Sequence, residues 1–170
     1  MLMSDPAHEI GESVTITDKS QLSFITPEQV KKIKSLRIEN QEIDDDFIDF
    51  LSSIGLFDSL YFYKCAVDCI TLSGVYKCDV LGFVDCSLTS ETAGFVLDVL
   101  GRIEYVETLD LSNNNIGINP ERFLKWWKEN ISGVALVKNL ILSNNDFLED
   151  SKSKLISVFE KYSPGCQVIF

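Results

Sequence analysis

Two nine-residue stretches, LDLSNNNIG at 109–117 and LILSNNDFL at 140–148, are built on one pattern. Alternating apolar residues call for a strand, yet each is followed at once by asparagines. Both copies obey a template: apolar, two free positions, apolar, one free, apolar, two free, Asn, one free, apolar. It is filled by Val106, Leu109, Leu111, Asn114 and Ile116, and again by Val137, Leu140, Leu142, Asn145 and Phe147. A chain that repeats such a pattern is constrained to repeat a structural unit, so internal periodicity decides the fold class ahead of any other signal.

Sliding the template upstream finds Cys78, Leu81, Phe83, Cys86 and Leu88, then Phe57, Leu60, Phe62, Cys65 and Val67, then Ile33, Leu36, Ile38, Gln41 and Ile43. The residues in the asparagine position, 41, 65, 86, 114 and 145, are 24, 21, 28 and 31 residues apart. The pattern resembles that of the leucine-rich repeat family, L-x-x-L-x-L-x-x-(N/C)-x-L, from about Ile33 to Phe170. The two longer periods look most like the ribonuclease-inhibitor-like class, in which an α-helix returns each strand; Gln41 departs from the pattern. The resemblance implies an α/β solenoid with a curved parallel β-sheet on its concave side and helices and loops on its convex side. A helix is about 10 Å across and strands sit roughly 4.8 Å apart, so a helix behind each strand splays the back and bends the sheet.

The asparagines have a physical reason. Where the chain leaves the strand to turn a corner, its backbone N–H and C=O groups lose their ladder partners inside the coil. One asparagine side chain supplies an acceptor and two donors, and stacked copies are able to bond the backbone of adjacent laps. Cysteine at 65 and 86 is smaller and a weak donor. Those two corners are expected to be tighter or looser than the asparagine ones.

Helical periodicity fills the intervals. Phe47, Ile48 and Leu51 follow acidic residues suited to a helix N-terminus. Thr89 or Ser90 offers a cap for a helix burying Phe95, Val96 and Val99. Asn119 and Pro120 open a helix with Phe123, Leu124, Trp127 and Ile131 on one face, and Asp150 or Ser151 caps a last one that closes at Pro164 and Gly165. Residues 68–77 are too few for such a helix and are expected to return as a loop or single turn. The chain divides into a flexible tail at 1–12, a capping segment at 13–32 and a solenoid of about five repeats plus a terminal strand at 33–170. Thr26, Pro27 and Gln29 carry the marks of a helix start.

Composition narrows the function. Fifteen basic and 26 acidic residues give a net charge of −11, which repels a nucleic-acid backbone. No uncharged apolar run of about 18 residues is present and the N-terminus lacks a signal-peptide pattern, so neither membrane nor secretion is expected. Five cysteines, an odd number, favour free thiols in a reducing cytoplasm over a disulfide framework. Cys65, Cys69, Cys78 and Cys86 show no C-x-x-C spacing, three of them fall at inward positions, and the acids 44–46 are explained by a helix dipole, so no metal site is expected. The one histidine, His8, lies in the tail, no glycine-rich phosphate loop occurs, and neither enzymatic activity nor a cofactor is expected.

The free strand positions form rows facing away from the core: Arg37, Tyr61, Gly82, Asp110 and Ile141, and two residues on Glu39, Tyr63, Val84, Ser112 and Ser143. Tyrosine is enriched at interface hot spots, although β-propensity alone also places aromatic residues on solvated strands. Arg37, Glu39, Tyr61, Tyr63, Val84, Asp110 and Ile141 are the expected partner-binding set. The family resemblance implies a non-enzymatic adaptor or regulator that binds a protein. A pathogen effector acting in a host cytosol, or a GTPase or phosphatase regulator using Arg37 or Arg102, are the alternatives. Trp126, off the face that holds Trp127, is expected to pack on a neighbouring helix, and an uncovered edge at the last strand, with Val168 and Phe170 inward, would allow weak homodimer formation.

Overall fold

Each alternating segment forms a strand, and the strands stand side by side in the order in which the chain makes them. The computed structural model describes residues 12–67, 72, 74–100, 102–129 and 137–170. Seven strands, β1 (Ser13–Ile16), β2 (Ser35–Glu39), β3 (Leu56–Tyr63), β4 (Lys77–Val84), β5 (Tyr105–Asp110), β6 (Asn139–Ile141) and β7 (Gln167–Ile169), make one sheet in sequence order. All six neighbouring pairs are parallel. Among the described residues the sheet does not close on itself, and β7 has no strand on its outer side.

The register turns the sequence template into files of side chains. Leu36, Leu60, Leu81, Leu109, Leu140 and Val168 are successive partners, and Ile38, Phe62 and Phe83 form a second file. All but Val168 are buried, and the Phe62 and Phe83 rings stack at 5.0 Å. Because a parallel neighbour is out of reach of a tight turn, the chain crosses behind the sheet between strands. Helices α2 (Asp45–Ile54), α3 (Ala93–Leu100), α4 (Pro120–Glu129) and α5 (Glu149–Tyr162) make four of these crossings. Their apolar faces and the inward file form one continuous core, with Trp127 of α4 wholly buried, 4.5 Å from the Phe159 ring and donating its indole N–H to Ser163 Oγ at 2.9 Å.

The corners after the strands carry the polar account of the fold. Asn114 Nδ2 donates to the carbonyls of Phe83, Leu111 and Ser112, while its Oδ1 accepts from the N–H groups of Cys86 and Leu88 one lap earlier. Asn145 repeats the device on Leu111, Leu142 and Ser143, and accepts from Ile116 N–H. Cys65 and Cys86 donate weakly to Ile38 and Phe62 carbonyls, and the longer Gln41 reaches Thr17. Every corner residue therefore bonds the carbonyl at the corner before it. The residue ahead of it is left-handed in all five laps, with φ of 55° at Asn40, 52° at Lys64, 55° at Asp85, 58° at Asn113 and 57° at Asn144. The cysteine corners thus share this one backbone angle with the asparagine ones.

The N-terminal segment supplies the strand β1 on Ser35–Ile38, then a 3-10 helix (Lys19–Phe24) and the short α1 (Pro27–Val30). Thr26 and Gln29 form the capping box read from the sequence. Two readings of helices need correction, and one choice between caps is decided. Phe95 of α3 is exposed, since Ala93, Val96, Val99 and Leu100 fill the inner face. Of the two caps offered for α3, Thr89 serves, accepting the Thr92 N–H on its Oγ1 at 3.3 Å, while Ser90 Oγ donates to the Ile116 carbonyl across to the next lap. The last helix begins at Glu149 with Leu148 in the cap position, so neither Asp150 nor Ser151 caps it. Phe47 and Leu51 are buried as expected while Ile48 is only half-buried; the tail at 1–11, most of the 68–77 return, Cys69 and Ile131 lie outside the described residues.

Truncating Asn114 to alanine takes the acceptor from the Cys86 and Leu88 N–H groups and one donor from the Phe83 carbonyl, while Leu111 keeps Asn145 and Ser112 keeps the Asp85 N–H, at a cost of about 3 kcal/mol by the penalty for unsatisfied buried groups. Cys65→Ala removes only weak thiol donation and a small volume, about 1 kcal/mol. Urea midpoints at unchanged m-value separate the two; equal losses would mean that the amide does not hold the corner.

Candidate functional site

Strand alternation sends every second side chain to the face opposite the core, and there the sheet register assembles a polar and aromatic surface. Arg37, Tyr61, Gly82, Asp110, Ile141 and Ile169 are aligned neighbours across β2 to β7, and Glu39, Tyr63 and Val84 form the next row. All seven residues singled out in the sequence therefore lie on one face. Arg37 is exposed and the other six are partly so; Ser112, expected in the second row, is buried.

Within this face two halves differ in chemistry. On β2 and β3 the charges neutralise one another: the Arg37 guanidinium lies 4.4 Å from the Tyr63 ring centre and bonds Glu39. Lys64 stands 5.3 Å from the same ring and 3.6 Å from Asp85. On β4 to β7 the pattern opens. Gly82 carries no side chain, and the Tyr61 ring leans into the space: a Cβ there would lie 2.2 Å from Tyr61 Cδ1 and 2.4 Å from Cε1. Glycine inside a central strand weakens it and marks a close approach, which here is that ring. Asp110, on the far side of Gly82, accepts the Ser112 N–H at 2.9 Å and has no ion-pair partner among the described residues. Burial raises the Tyr61 phenol above its ordinary value, Asp110 adds to this, and Arg37 opposes it.

Below these rows, a ladder that the spacing did not reveal runs along the same sheet. Lys77 pairs with Asp79 at 3.1 Å, Tyr105 donates to Glu107 at 2.9 Å and Lys138 reaches Glu107 at 3.1 Å. The hydrogen bond from Tyr105, then Lys138, holds the Glu107 carboxyl below its ordinary value. The sequence signal for this ladder is register: Lys77 is the partner of Tyr105 once Leu81 is set beside Leu109. Exposed pairs of this kind contribute little stability.

Other residues weighed from the sequence are accounted for structurally. Asp44 caps α2 by accepting the Phe47 N–H, and Lys19 pairs with Asp44 and Asp46. The Trp126 indole lies over Gly94 of α3, with the Arg122 guanidinium 5.0 Å from its ring. Among the described residues no group of three or more His, Cys, Asp or Glu is arranged to hold a metal ion, and no helix is long and apolar enough to cross a membrane. No protein-family model matches this chain, and no curated protein is significantly similar to it.

Burial pushes the Cys78 and Cys86 thiols up to about 12. The folded chain thus keeps protonated two groups that ionise near 9 when unfolded; their contribution to stability is whole below pH 9 and declines as pH rises towards 12. Iodoacetamide at pH 9 is expected to modify neither until urea unfolds the protein, and native-state labelling of both would contradict their burial. Gly82→Ala is expected to displace the Tyr61 ring and lower its phenol towards the ordinary value, read by tyrosinate absorbance against a Tyr61→Phe control. An unchanged titration would place the ring elsewhere.

Proposed function

We propose that this chain is a short leucine-rich repeat solenoid of the ribonuclease-inhibitor-like class. About five repeats span 33–170, residues 13–32 serve as an N-terminal cap, and the module acts in the cytoplasm as a non-enzymatic adaptor or regulator. The carrying observation is a coincidence of two independent rows. The inward apolar file and the polar corner file recur with one register on successive parallel strands, as a repeat that buries its neighbour's face requires. Helices behind the strands would splay the back, which makes the tyrosine-bearing face the concave one.

Binding is the economical use of that face. Half-buried tyrosines on a rigid sheet give contact area at small cost in side-chain entropy, and the partner is therefore read as a protein. The described cysteines are free thiols, which accords with a reducing compartment. A GTPase- or phosphatase-regulating role has no observation of its own in its favour: Arg37 is held by Glu39 and Tyr63, and Arg102 by Asp98 at 3.1 Å.

The test is co-precipitation from cells of origin with intact protein and a Tyr61→Ala, Tyr63→Ala variant matched in thermal midpoint. Partners of the intact protein are expected to be lost from the variant. Retention of every one would remove the concave face as the binding surface.

A further inference from the structure

The two halves of the outer face pose a question of partner chemistry. Cations at Arg37 and Lys64 already cover Tyr63, and each has a carboxylate neighbour. Across Gly82 the balance is reversed. Asp110 is a partly exposed carboxylate whose one hydrogen bond from a described residue uses Oδ1, it has no cation beside it among the described residues, and it lies between the Tyr61 ring and Ile141. Ile169, 39% exposed, extends the apolar strip beyond Ile141.

We infer that the partner docks a basic side chain, lysine or arginine, on Asp110, with its aliphatic stem along Ile141 and Ile169 and its charged head beside the Tyr61 ring. The inference rests on the reading of this face as a protein-binding surface and adds the chemistry of what is bound. Three features of the molecule match that occupant. An ammonium or guanidinium group gains a charge-assisted bond from the open carboxylate oxygen and attraction from an aromatic ring, while its methylene stem covers apolar surface. A net charge of −11 draws a basic segment in by long-range attraction. Burial first and the Asp110 charge second raise the Tyr61 phenol above its ordinary value, in keeping with a carboxylate close to the ring.

Glycine at 82 has a role in this arrangement. Any side chain at that position would stand between Asp110 and the ring, and the ring itself would be forced away by the contacts it now makes with Gly82. An acidic or hydrophobic partner segment would instead leave Asp110 facing a like charge or desolvated without a counter-charge, each costly.

The experiment is a titration of ¹⁵N-labelled full-length protein with an acetylated, amidated peptide of alternating glycine and arginine, and with its glutamate counterpart. The arginine peptide is expected to shift the Gly82, Asp110 and Ile141 amides, and the glutamate peptide to leave them in place. Asp110→Asn keeps the acceptor for Ser112 N–H, so its fold is expected to be intact by the spectrum itself, and its affinity for the arginine peptide should fall at least tenfold. Asp150→Asn, an exposed acid away from the sheet, should change affinity less than twofold. Equal losses for the two variants would reduce the effect to net charge and overturn the inference, as would shifts confined to other surfaces. If the arginine peptide leaves this face untouched while the Tyr61→Ala, Tyr63→Ala variant still loses its cellular partner, the basic anchor is wrong and the binding face stands.

Discussion

The structure depends on what happens to the backbone at a corner. Between neighbouring parallel strands the chain must leave the sheet within a few residues, and the buried N–H and C=O groups released there need new partners. Asn114 meets this with five bonds spread over two laps. The side chain that closes one lap is also what ties it to the lap before. Sheet order and corner chemistry are consequently one constraint, and the parallel register of Leu60, Leu81, Leu109 and Leu140 follows from satisfying it repeatedly.

The corners also explain why the chain accepts unequal chemistry along its length. Cys65 and Cys86 donate through a weak thiol, and Gln41 bonds one residue further along, at Thr17. At the Cys65 lap the Ile43 N–H, in the place of the Leu88 N–H that Asn114 accepts, bonds the Ala66 carbonyl instead. Lys64 holds a left-handed angle of 52° that asparagine or glycine adopts more readily; its place over Tyr63 and beside Asp85 offers a reason for keeping it. Gly117 shows the opposite limit: a Cβ there would lie 2.0 Å from the Asn145 carbonyl oxygen, so the laps approach as closely as backbone allows.

Much of this was legible from residue types because strand period and corner chemistry act locally. Leu36, Leu60, Leu81, Leu109 and Leu140 could be aligned by counting, and the outward rows followed from alternation. Helix detail was less accessible, since which face a helix buries depends on the tilt its neighbours impose. Phe95 was read as inward, yet Ala93 and Val96 suffice to fill that side and the phenylalanine is left exposed. Leu148 occupies a cap position with no side-chain oxygen, a choice that no capping rule selects. On the outer face, residue membership was readable but the division of labour was not. That Tyr63 is covered by cations while Tyr61 leans on Gly82 is a matter of rotamers across strands, and counting along one strand carries no information about them.

Amide hydrogen exchange at the corners distinguishes a sheet held by its corner side chains from one that stands without them. If the corner side chains lock successive laps, the N–H groups of Cys86, Leu88 and Ile116, which bond asparagine side-chain oxygens of the next lap, will exchange as slowly as the strand amide of Leu109 and with the same dependence on urea. Exchange of those three at the rate of open loop amides, with Leu109 still protected, would show that the sheet stands without the corners and would contradict the account.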